Sequence, residues 1–306
     1  MRVASIDIGT NSTRLLVADI APTAGAPIAS VERLTRITRL GQGVDASRRL
    51  HPDAIERTVA TLHEYRRRID ALGAEKVRMT ATSASRDASN RDVFFDAAEG
   101  AIGVRPELIS GEEEGALTFT GATAGLDLPG PYLVFDVGGG STELIVGTDR
   151  PDGLLSVDIG CVRITEAYLH GDPPTAEELS QAVSIVRDHL LDVSRELPAA
   201  ASAKTLIGCA GTVWTMAAVE LGVDASQSDR IHHLRLTRAA AEDVFRTLAT
   251  EPITERRHNP GLEPGRVDVI VGGAIVVVSV MRHFHFDELL VSEADILDGL
   301  ARSVVA

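Results

Sequence analysis

The sequence contains few of the residues that mark secreted, metal-clustered or membrane proteins. Cysteine occurs only at Cys161 and Cys209, too few for a disulfide framework or a cysteine-based metal site, so a reducing compartment fits best. The longest apolar run, residues 269–281, is too short to cross a bilayer. A strand pattern begins within the first few residues, so we expect no signal peptide and a soluble cytoplasmic protein.

Positive charge is also scarce. Thirty Lys and Arg residues against 44 Asp and Glu residues give a formal net charge of -14. Proteins that bind nucleic acid or anionic membranes without specificity need an electropositive face, so neither partner is expected. A local arginine cluster could still hold an anion. With 306 residues, of which 44% are hydrophobic, the chain is long enough for two domains with sizeable cores.

Two stretches combine an acid, glycine and hydroxyl residues between apolar runs. Residues 5–17 read SIDIGTNSTRLLV, and residues 134–146 read VFDVGGGSTELIV. At an offset of 129 residues, identical residues align at Asp7/Asp136, Gly9/Gly138, Ser12/Ser141, Thr13/Thr142, Leu15/Leu144 and Val17/Val146. The charge is reversed at one position, where Arg14 aligns with Glu143. We therefore predict one domain plan used twice, with lobes at 1–125 and 126–306.

The order of predicted elements supports this division. The first lobe reads strand-strand-strand-helix-strand-helix-strand, followed by a helix that Ser110 and Glu113 begin as a capping box. After Pro129 and Pro131 the plan restarts with three strands. The alternation predicts an α/β protein with mixed sheets.

A turn of the pattern D-x-G-x-x-S-T presents backbone N–H groups and hydroxyls, which suit phosphate oxygens. The predicted phosphate-binding residues are Thr10, Asn11 and Ser12 in the first turn and Gly138, Gly139, Gly140 and Ser141 in the second. Asp7 and Asp136 end the preceding strands, where carboxylates can hold Mg²⁺. The structural alternative is a tight hairpin that needs positive φ. The repetition favours the phosphate site.

The two turns resemble the two phosphate motifs of the exopolyphosphatase/guanosine pentaphosphate phosphatase (Ppx/GppA) family. Further stretches agree in order, from about residue 2 to 300: ATSASRDASNRDVF, ISGEEEGALTFTGA, SVDIGCVRITE, GCAGTVWTMAA and PGRVDVIVGGAIVV. The resemblance implies two RNase H-like lobes of the actin, sugar kinase and heat-shock chaperone superfamily. It places the active site in a central cleft, with Asp7 and Asp136 facing each other.

The resemblance also implies roles for single residues. Glu114 corresponds to the family's catalytic base, Asp136 and Glu143 to its acidic positions for Mg²⁺, and Arg86 to a phosphate-contacting arginine. Judged by its position alone, Glu114 is better interpreted as a third first-turn helix acid.

Two arginine assignments are less direct. Two interpretations remain for Arg14, which either faces the substrate or forms an ion pair with Glu143. Arg266 is expected to hold distal phosphates, whereas Arg256, Arg257 and His258 are better interpreted as solvated surface charge.

The leading prediction is a Mg²⁺-dependent exopolyphosphatase, with Mn²⁺ as the alternative ion. Guanosine pentaphosphate is the alternative substrate, and a superfamily ATPase or sugar kinase the alternative class. A non-catalytic polyphosphate or nucleotide sensor is a third class, disfavoured by the intact acids. The C-terminal match departs from the family at Leu297 and Asp298, and the chain ends at Ala306, so we expect short polyphosphates as substrates. A homodimer is an assembly that the sequence leaves open.

Overall fold

A computed structural model describes residues 1–21 and 28–304 and divides the chain into two compact units. Unit 1 comprises Met1–Asp127 and Ala294–Ala306, and unit 2 comprises Leu128–Glu293. The expected division after residue 125 lies close to this boundary. The second lobe was expected to continue to residue 306, whereas the C-terminal segment belongs to unit 1.

The elements of unit 1, in chain order, are β1 (Arg2–Ile8), β2 (Ser12–Ile20), β3 (Ile28–Ile37), α1 (Val44–Ser47), α2 (Pro52–Leu72), β4 (Lys76–Ala81), α3 (Ser83–Asp87), α4 (Arg91–Ile102), β5 (Glu107–Leu108) and α5 (Gly111–Thr123). The last helix of the chain, called α13 below (Ile296–Ser303), also belongs to this unit.

The strands of unit 1 form a mixed sheet that, within the described residues, has the order β3-β2-β1-β4-β5. Strands β1 to β3 are antiparallel neighbours, while β4 pairs with β1 in parallel. A buried cluster that includes Ile6, Leu15, Leu62 and Phe94 lies between the sheet and helices α2 and α4. Alternate residues of β1 and β2, including Val3 and Leu16, pack instead with Leu297 of α13.

The elements of unit 2 are β6 (Tyr132–Val137), β7 (Thr142–Gly147), β8 (Pro151–Val157), α6 (Cys161–Tyr168), α7 (Ala176–Glu196), β9 (Thr205–Cys209), α8 (Ala210–Leu221), α9 (Ser228–Ile231), β10 (Arg235–Thr237), α10 (Arg238–Thr250), α11 (Ile253–Arg256), α12 (Ile270–His283) and β11 (Glu288–Val291), with 3₁₀ turns at Pro198–Ser202 and Pro264–Arg266.

The second sheet repeats the plan of the first. Its order across the described residues is β10-β11-β9-β6-β7-β8, in which β8-β7-β6-β9-β11 matches β3-β2-β1-β4-β5 in both order and strand direction. The predictions of an α/β fold with mixed sheets and of a duplicated plan are therefore confirmed. The apolar run near residue 270 forms α12, which lies in the core. No helix of the described residues is long and apolar enough to span a membrane.

Local sequence explains the helix ends nearest the predicted site. Ser110 precedes α5 and accepts a hydrogen bond from the Glu113 N–H through its side chain (3.1 Å), as an N-cap does. Asp295 precedes α13 and accepts from the Leu297 N–H (3.0 Å), while Asp298 accepts from the Asp295 N–H (3.0 Å). Both helices therefore begin at a polar N-cap residue, and at α13 the residues Asp295 and Asp298 also bring negative charge into unit 1.

Candidate phosphate-binding and catalytic site

The first D-x-G-x-x-S-T turn is a tight hairpin between β1 and β2. The Gly9 N–H donates to the Ser12 carbonyl (2.9 Å). The Thr10 carbonyl accepts from the Gly41 N–H (2.9 Å), and the Asn11 carbonyl accepts from two N–H groups of the 38–41 loop (3.1 and 2.9 Å). Because C=O and N–H point in opposite directions in a trans peptide, the N–H groups of Asn11 and Ser12 face away from that loop. Such a set of N–H groups suits an anion.

The Asn11 side chain supports a ligand at this turn. Asn11 is 4% exposed, and neither its amide nitrogen nor its amide oxygen has a hydrogen-bond partner among the described residues. Buried polar atoms are nearly always paired, and an unpaired one calls for a ligand or ordered water. Thr10 is also buried, and Ser12 is partly exposed at the start of β2.

Asp7, at the end of β1, lies opposite Arg14 in the strand register. Arg14 donates to Asp7 Oδ2 through Nη2 (2.7 Å) and Nε (3.1 Å), and its Nη1 donates to Asp295. Burial raises the pKa of the Asp7 carboxyl above its usual range, although Arg14 acts in the opposite direction. Neither of the two arrangements expected for Arg14 included Asp7 and Asp295.

The second turn has the same backbone geometry. The Gly138 N–H donates to the Ser141 carbonyl (3.0 Å), and Ser141 is buried. The carbonyl groups of the turn accept hydrogen bonds from the start of α6. Gly138 accepts from the Cys161 N–H (2.9 Å). Gly139 accepts from the next two N–H groups of α6 (2.9 and 3.1 Å), and Gly140 accepts from Arg163 Nε (2.8 Å).

All three glycine carbonyls of the second turn therefore point towards α6. The N–H groups of the following residues, Gly139, Gly140 and Ser141, must then point away from α6, by the same peptide geometry. Three such N–H groups form a stronger anion-binding set than two.

The close packing of α6 accounts for part of the glycine content. A Cβ atom on Gly160, just before α6, would lie 2.5 Å from Gly140 N and still closer to the Gly139 carbonyl. The protein's own backbone at Gly160 therefore packs closely on one side of this turn. The opposite side is the one from which a ligand would approach.

Asp136 lies opposite Glu143 in the register of β6 and β7, as Asp7 lies opposite Arg14. Asp136 and Glu143 are both buried. Glu143 Oε1 accepts a hydrogen bond from Ser156 Oγ on β8 (2.8 Å). Carboxylate oxygens on facing strands suit a hard divalent cation.

Glu114 lies in the first turn of α5 and contacts Arg86 of α3. Arg86 Nη1 donates to Glu114 Oε2 (2.9 Å) and to the Ile109 carbonyl (3.0 Å). The two side chains are 16% and 24% exposed, respectively. A carboxylate that is partly open to solvent is accessible to water, which is one requirement of a general base.

The neighbouring acid is held differently. Ser110 and the Glu113 N–H form half of the predicted capping box, but the Glu113 carboxylate pairs with Arg78 (3.1 Å), which also binds Glu107. The prediction that Glu113 completes the box was therefore wrong, because a guanidinium offers a charged donor in place of one backbone N–H.

Comparison with known proteins identifies the family. The model of the Ppx/GppA phosphatase family matches residues 16–305. The chain belongs to the Ppx/GppA phosphatase family. Exopolyphosphatase 2 of Mycobacterium tuberculosis is 45% identical to this Ppx/GppA chain over 314 aligned residues, which cover 99% of this chain and 98% of the relative.

Solved structures agree with this assignment to the Ppx/GppA family. An exopolyphosphatase-like protein superposes with a TM-score of 0.94 at 38% identity, covering 100% of this chain and 99% of the other. The Ppx/GppA family member of Aquifex aeolicus superposes with a TM-score of 0.82 at 33% identity, covering 100% and 97% of the two chains.

Arg266, the predicted distal phosphate contact, is buried in unit 2 of the Ppx/GppA chain. Its Nε donates to Glu263 (2.6 Å), and its guanidinium lies against Gly211, where a Cβ atom would overlap it. Arg256 was expected to be solvated surface charge, and this was wrong. It is 2% exposed and donates to the carbonyls of Leu248, Glu251 and Val267.

The carboxylates of this Ppx/GppA chain fit a Mg²⁺ ion without forming a complete cage. Among the described residues, no three His, Cys, Asp or Glu side chains lie together as a metal site. Mg²⁺ commonly uses one or two carboxylates plus waters and substrate phosphates. Asp136 and Glu143 supply such a pair, and Asp7 Oδ1 is a buried carboxylate oxygen without a hydrogen-bond partner in the described structure.

Four charged residues were not predicted as site residues: Arg163, which holds the second turn, and Arg33, Asp295 and Asp298, which ion pairs link to Arg14. Arg33 pairs with Asp298 (2.6 Å) and Asp295 (3.6 Å). The pattern D-I-L-D at 295–298 is a usable signal for a helix start. The sequence carries no comparable signal for Arg33 or Arg163.

Proposed function

We propose that this protein is an exopolyphosphatase that hydrolyses the terminal phosphoanhydride of inorganic polyphosphate and releases orthophosphate. The choice of substrate is carried by one observation, the 45% identity to Exopolyphosphatase 2 over nearly the whole of both chains. The matching turns of the two units, each with outward N–H groups, support a substrate that carries phosphate groups.

The proposed reaction needs groups that bind phosphate and a base that accepts a proton. The N–H groups of Gly139, Gly140 and Ser141 bind phosphate oxygens and stabilise negative charge as it spreads in the transition state. Glu114 accepts a proton from water, whose oxygen forms a bond to the terminal phosphorus as the bridging P–O bond breaks. Arg86 holds the Glu114 carboxylate in position, and the shortened polyphosphate leaves on the bridging oxygen.

A divalent cation is part of the proposal. Asp136 and Glu143 are the candidate ligands in unit 2, and Asp7 is the candidate ligand in unit 1. When bound, Mg²⁺ supplies positive charge that neutralises the phosphate oxygens. We expect phosphate release to stop in excess EDTA and to return with Mg²⁺ or Mn²⁺. Full turnover in EDTA would contradict this assignment.

The substrate is tested by measuring phosphate release from short polyphosphate, long polyphosphate, guanosine pentaphosphate and ATP under one set of conditions. Polyphosphate is expected to give the highest kcat/KM. Guanosine pentaphosphate also ends in a phosphoanhydride, so a higher kcat/KM for it would reassign the substrate while leaving the chemistry intact. Preferential ATP turnover would instead favour a superfamily ATPase.

The role of Glu114 is tested by Glu114→Gln. A general base typically contributes about 10² to 10⁴ in rate, so kcat should fall by a factor in that range while KM changes little. The amide keeps a hydrogen bond to Arg86 but removes the proton acceptor.

Glu113→Gln is the matched control on the same helix turn. It alters a partly exposed ion pair with Arg78, of a kind worth about 0–1 kcal/mol, and activity should stay near wild type. Equal activities for the two variants would leave Glu114 as an ordinary first-turn acid.

A further inference from the structure

Five side chains of alternating charge form a continuous series in unit 1: Asp7, Arg14, Asp295, Arg33 and Asp298. The series joins β1, β2 and β3 to the N-terminus of α13. The Arg14 side chain is 14% exposed, and those of Asp7 and Asp295 are 6% and 5% exposed. Arg14 and Asp295 are 281 residues apart in the chain.

The geometry of Arg14 shows the effect of its second partner. Arg14 Nε and Nη2 both donate to Asp7 Oδ2, rather than one to each carboxylate oxygen. The usual arginine–carboxylate pair is bidentate, with two parallel hydrogen bonds to two oxygens. Nη1 is engaged by Asp295, and Asp7 Oδ1 is left buried without a hydrogen-bond partner among the described residues.

The position of Asp295 is fixed by the packing of α13 on α5. A Cβ atom on Gly121 of α5 would overlap the Asp295 carbonyl, and one on Gly299 of α13 would overlap the Leu117 carbonyl. The two helices therefore touch through backbone atoms at both glycines. Since α5 also carries Glu114, the same contact relates Asp295 to the helix of the proposed base.

We propose that Asp295 is a positioning residue that keeps Arg14 on one oxygen of Asp7, so that Oδ1 stays available to a divalent cation. This inference rests on the proposed function for the identity of that cation. Without the Asp295 charge, Arg14 is expected to shift onto both Asp7 oxygens, because charge-assisted hydrogen bonds are about twice as strong as neutral ones. Asp7 would then be lost as a ligand.

The test is Asp295→Asn, with Mn²⁺ binding to the full chain measured by electron paramagnetic resonance in the absence of substrate. Asparagine is as good an N-cap as aspartate, so the bond from the Leu297 N–H and the start of α13 should be retained. Residues that orient a metal ligand typically contribute 10- to 100-fold in metal affinity, so the Mn²⁺ Kd should rise by about that factor.

Asp298→Asn is the matched control. Asp298 belongs to the same helix start and the same charge series, but it contacts Arg33 and the Asp295 N–H. Asparagine can still accept from that N–H, so the Mn²⁺ Kd should stay within about twofold of wild type, far below the effect of an orienting residue. A purely structural role for the series would weaken Mn²⁺ binding equally in both variants and would overturn the proposal.

Arg14→Lys provides a second route should Asp295→Asn fail to fold. Lysine keeps the charge but lacks the planar fork that binds two carboxylates at once, so a similar loss of Mn²⁺ affinity is expected. Unchanged Mn²⁺ affinity in a folded variant, or a wild-type chain that binds no Mn²⁺, overturns the inference. Failure of the proposed function would appear separately, as absent polyphosphate hydrolysis with the Mn²⁺ results unaffected.

Discussion

The two glycine-containing turns have the same backbone and different surroundings. In each, the N–H group of the first glycine donates to the carbonyl of the residue three positions on, at 2.9 Å from Gly9 to Ser12 and 3.0 Å from Gly138 to Ser141. In each, the central carbonyls are held from one side, so that the N–H groups face the other. This repeated geometry is the basis on which we propose an anion site at each turn.

The supports of the two turns differ. The first is held by the 38–41 loop, and Gly41 there faces the Thr10 side chain. The second is held by the start of α6, and Gly160 there faces the backbone of Gly139. The residue opposite the aspartate also differs, since unit 1 has Arg14 where unit 2 has Glu143. The two units thus share the backbone geometry of the turn and differ in the charge beside each aspartate.

The largest effect is expected when the first turn is given the charge of the second. Arg14→Glu removes the arginine partner of the buried Asp7 carboxylate and one of the two arginine partners of Asp295, and it adds a third carboxylate. Leaving a buried charge unpaired typically costs about 3–5 kcal/mol, so the free energy of unfolding of unit 1 should fall by at least that amount. Urea denaturation followed by circular dichroism measures it.

Arg238→Glu is the control for this charge reversal. Its pair with Asp287 is exposed, and such pairs contribute about 0–1 kcal/mol. A loss of stability in Arg14→Glu no larger than in Arg238→Glu would show that the two turns tolerate either charge.

A smaller effect is expected from crowding the supports of the turns. Gly160→Ala places a methyl group against the Gly139 and Gly140 backbone, which can yield only if the turn moves. Overpacking of this kind costs about 1–3 kcal/mol, and a displaced turn should also bind inorganic phosphate more weakly.

Gly41→Ala is the corresponding change at the first turn. Its methyl group would meet the Thr10 Cγ2 methyl, which a χ1 rotation can move away, and more loosely the Ala84 Cβ atom. We expect a smaller loss of stability than for Gly160→Ala, as measured by thermal unfolding. Equal losses would mean that backbone and side-chain supports are equivalent.

The duplicated fold could be predicted from the sequence because its signals are local. The aligned turns, the alternation of strands and helices, and the prolines near 129–131 all act within a few residues. The strands β1 and β6 and their antiparallel partners lie where the pattern placed them. The pairing of Glu114 with Arg86 joins two motifs that the sequence had already assigned to one site.

The C-terminal segment could not be assigned in the same way. Its helix pattern fits either unit, and only packing of α13 on α5 and β1 places it in unit 1. Asp295 therefore gave no sign of a contact with Arg14. Arg256 was missed for a related reason, because its acceptors are carbonyls whose positions depend on the tertiary fold. Charge at a position does not by itself indicate exposure.

The smallest effect is expected from substitution of Arg163, because this side chain supplies only one of the hydrogen bonds that hold the second turn. In the first turn, the Asn11 carbonyl is held by two backbone N–H groups, whereas the equivalent Gly140 carbonyl is held by the Arg163 side chain (2.8 Å). A single substitution can therefore loosen the second turn alone.

Arg163→Met removes that donor while keeping a long apolar stem. The net contribution of one hydrogen bond is about 0.5–1.5 kcal/mol, equivalent to roughly a 2- to 10-fold change in an equilibrium constant. We expect the inhibition constant for inorganic phosphate to rise by such a factor, because the peptide that presents the Ser141 N–H is no longer fixed, while thermal stability stays close to wild type.

Added guanidinium ion should partly restore phosphate affinity in Arg163→Met. It should have no such effect in Arg195→Met, where an exposed arginine far along the chain is replaced. Unchanged phosphate affinity in Arg163→Met would contradict this prediction. It would mean that hydrogen bonds from the α6 backbone are sufficient to hold the second turn, as backbone hydrogen bonds hold the first.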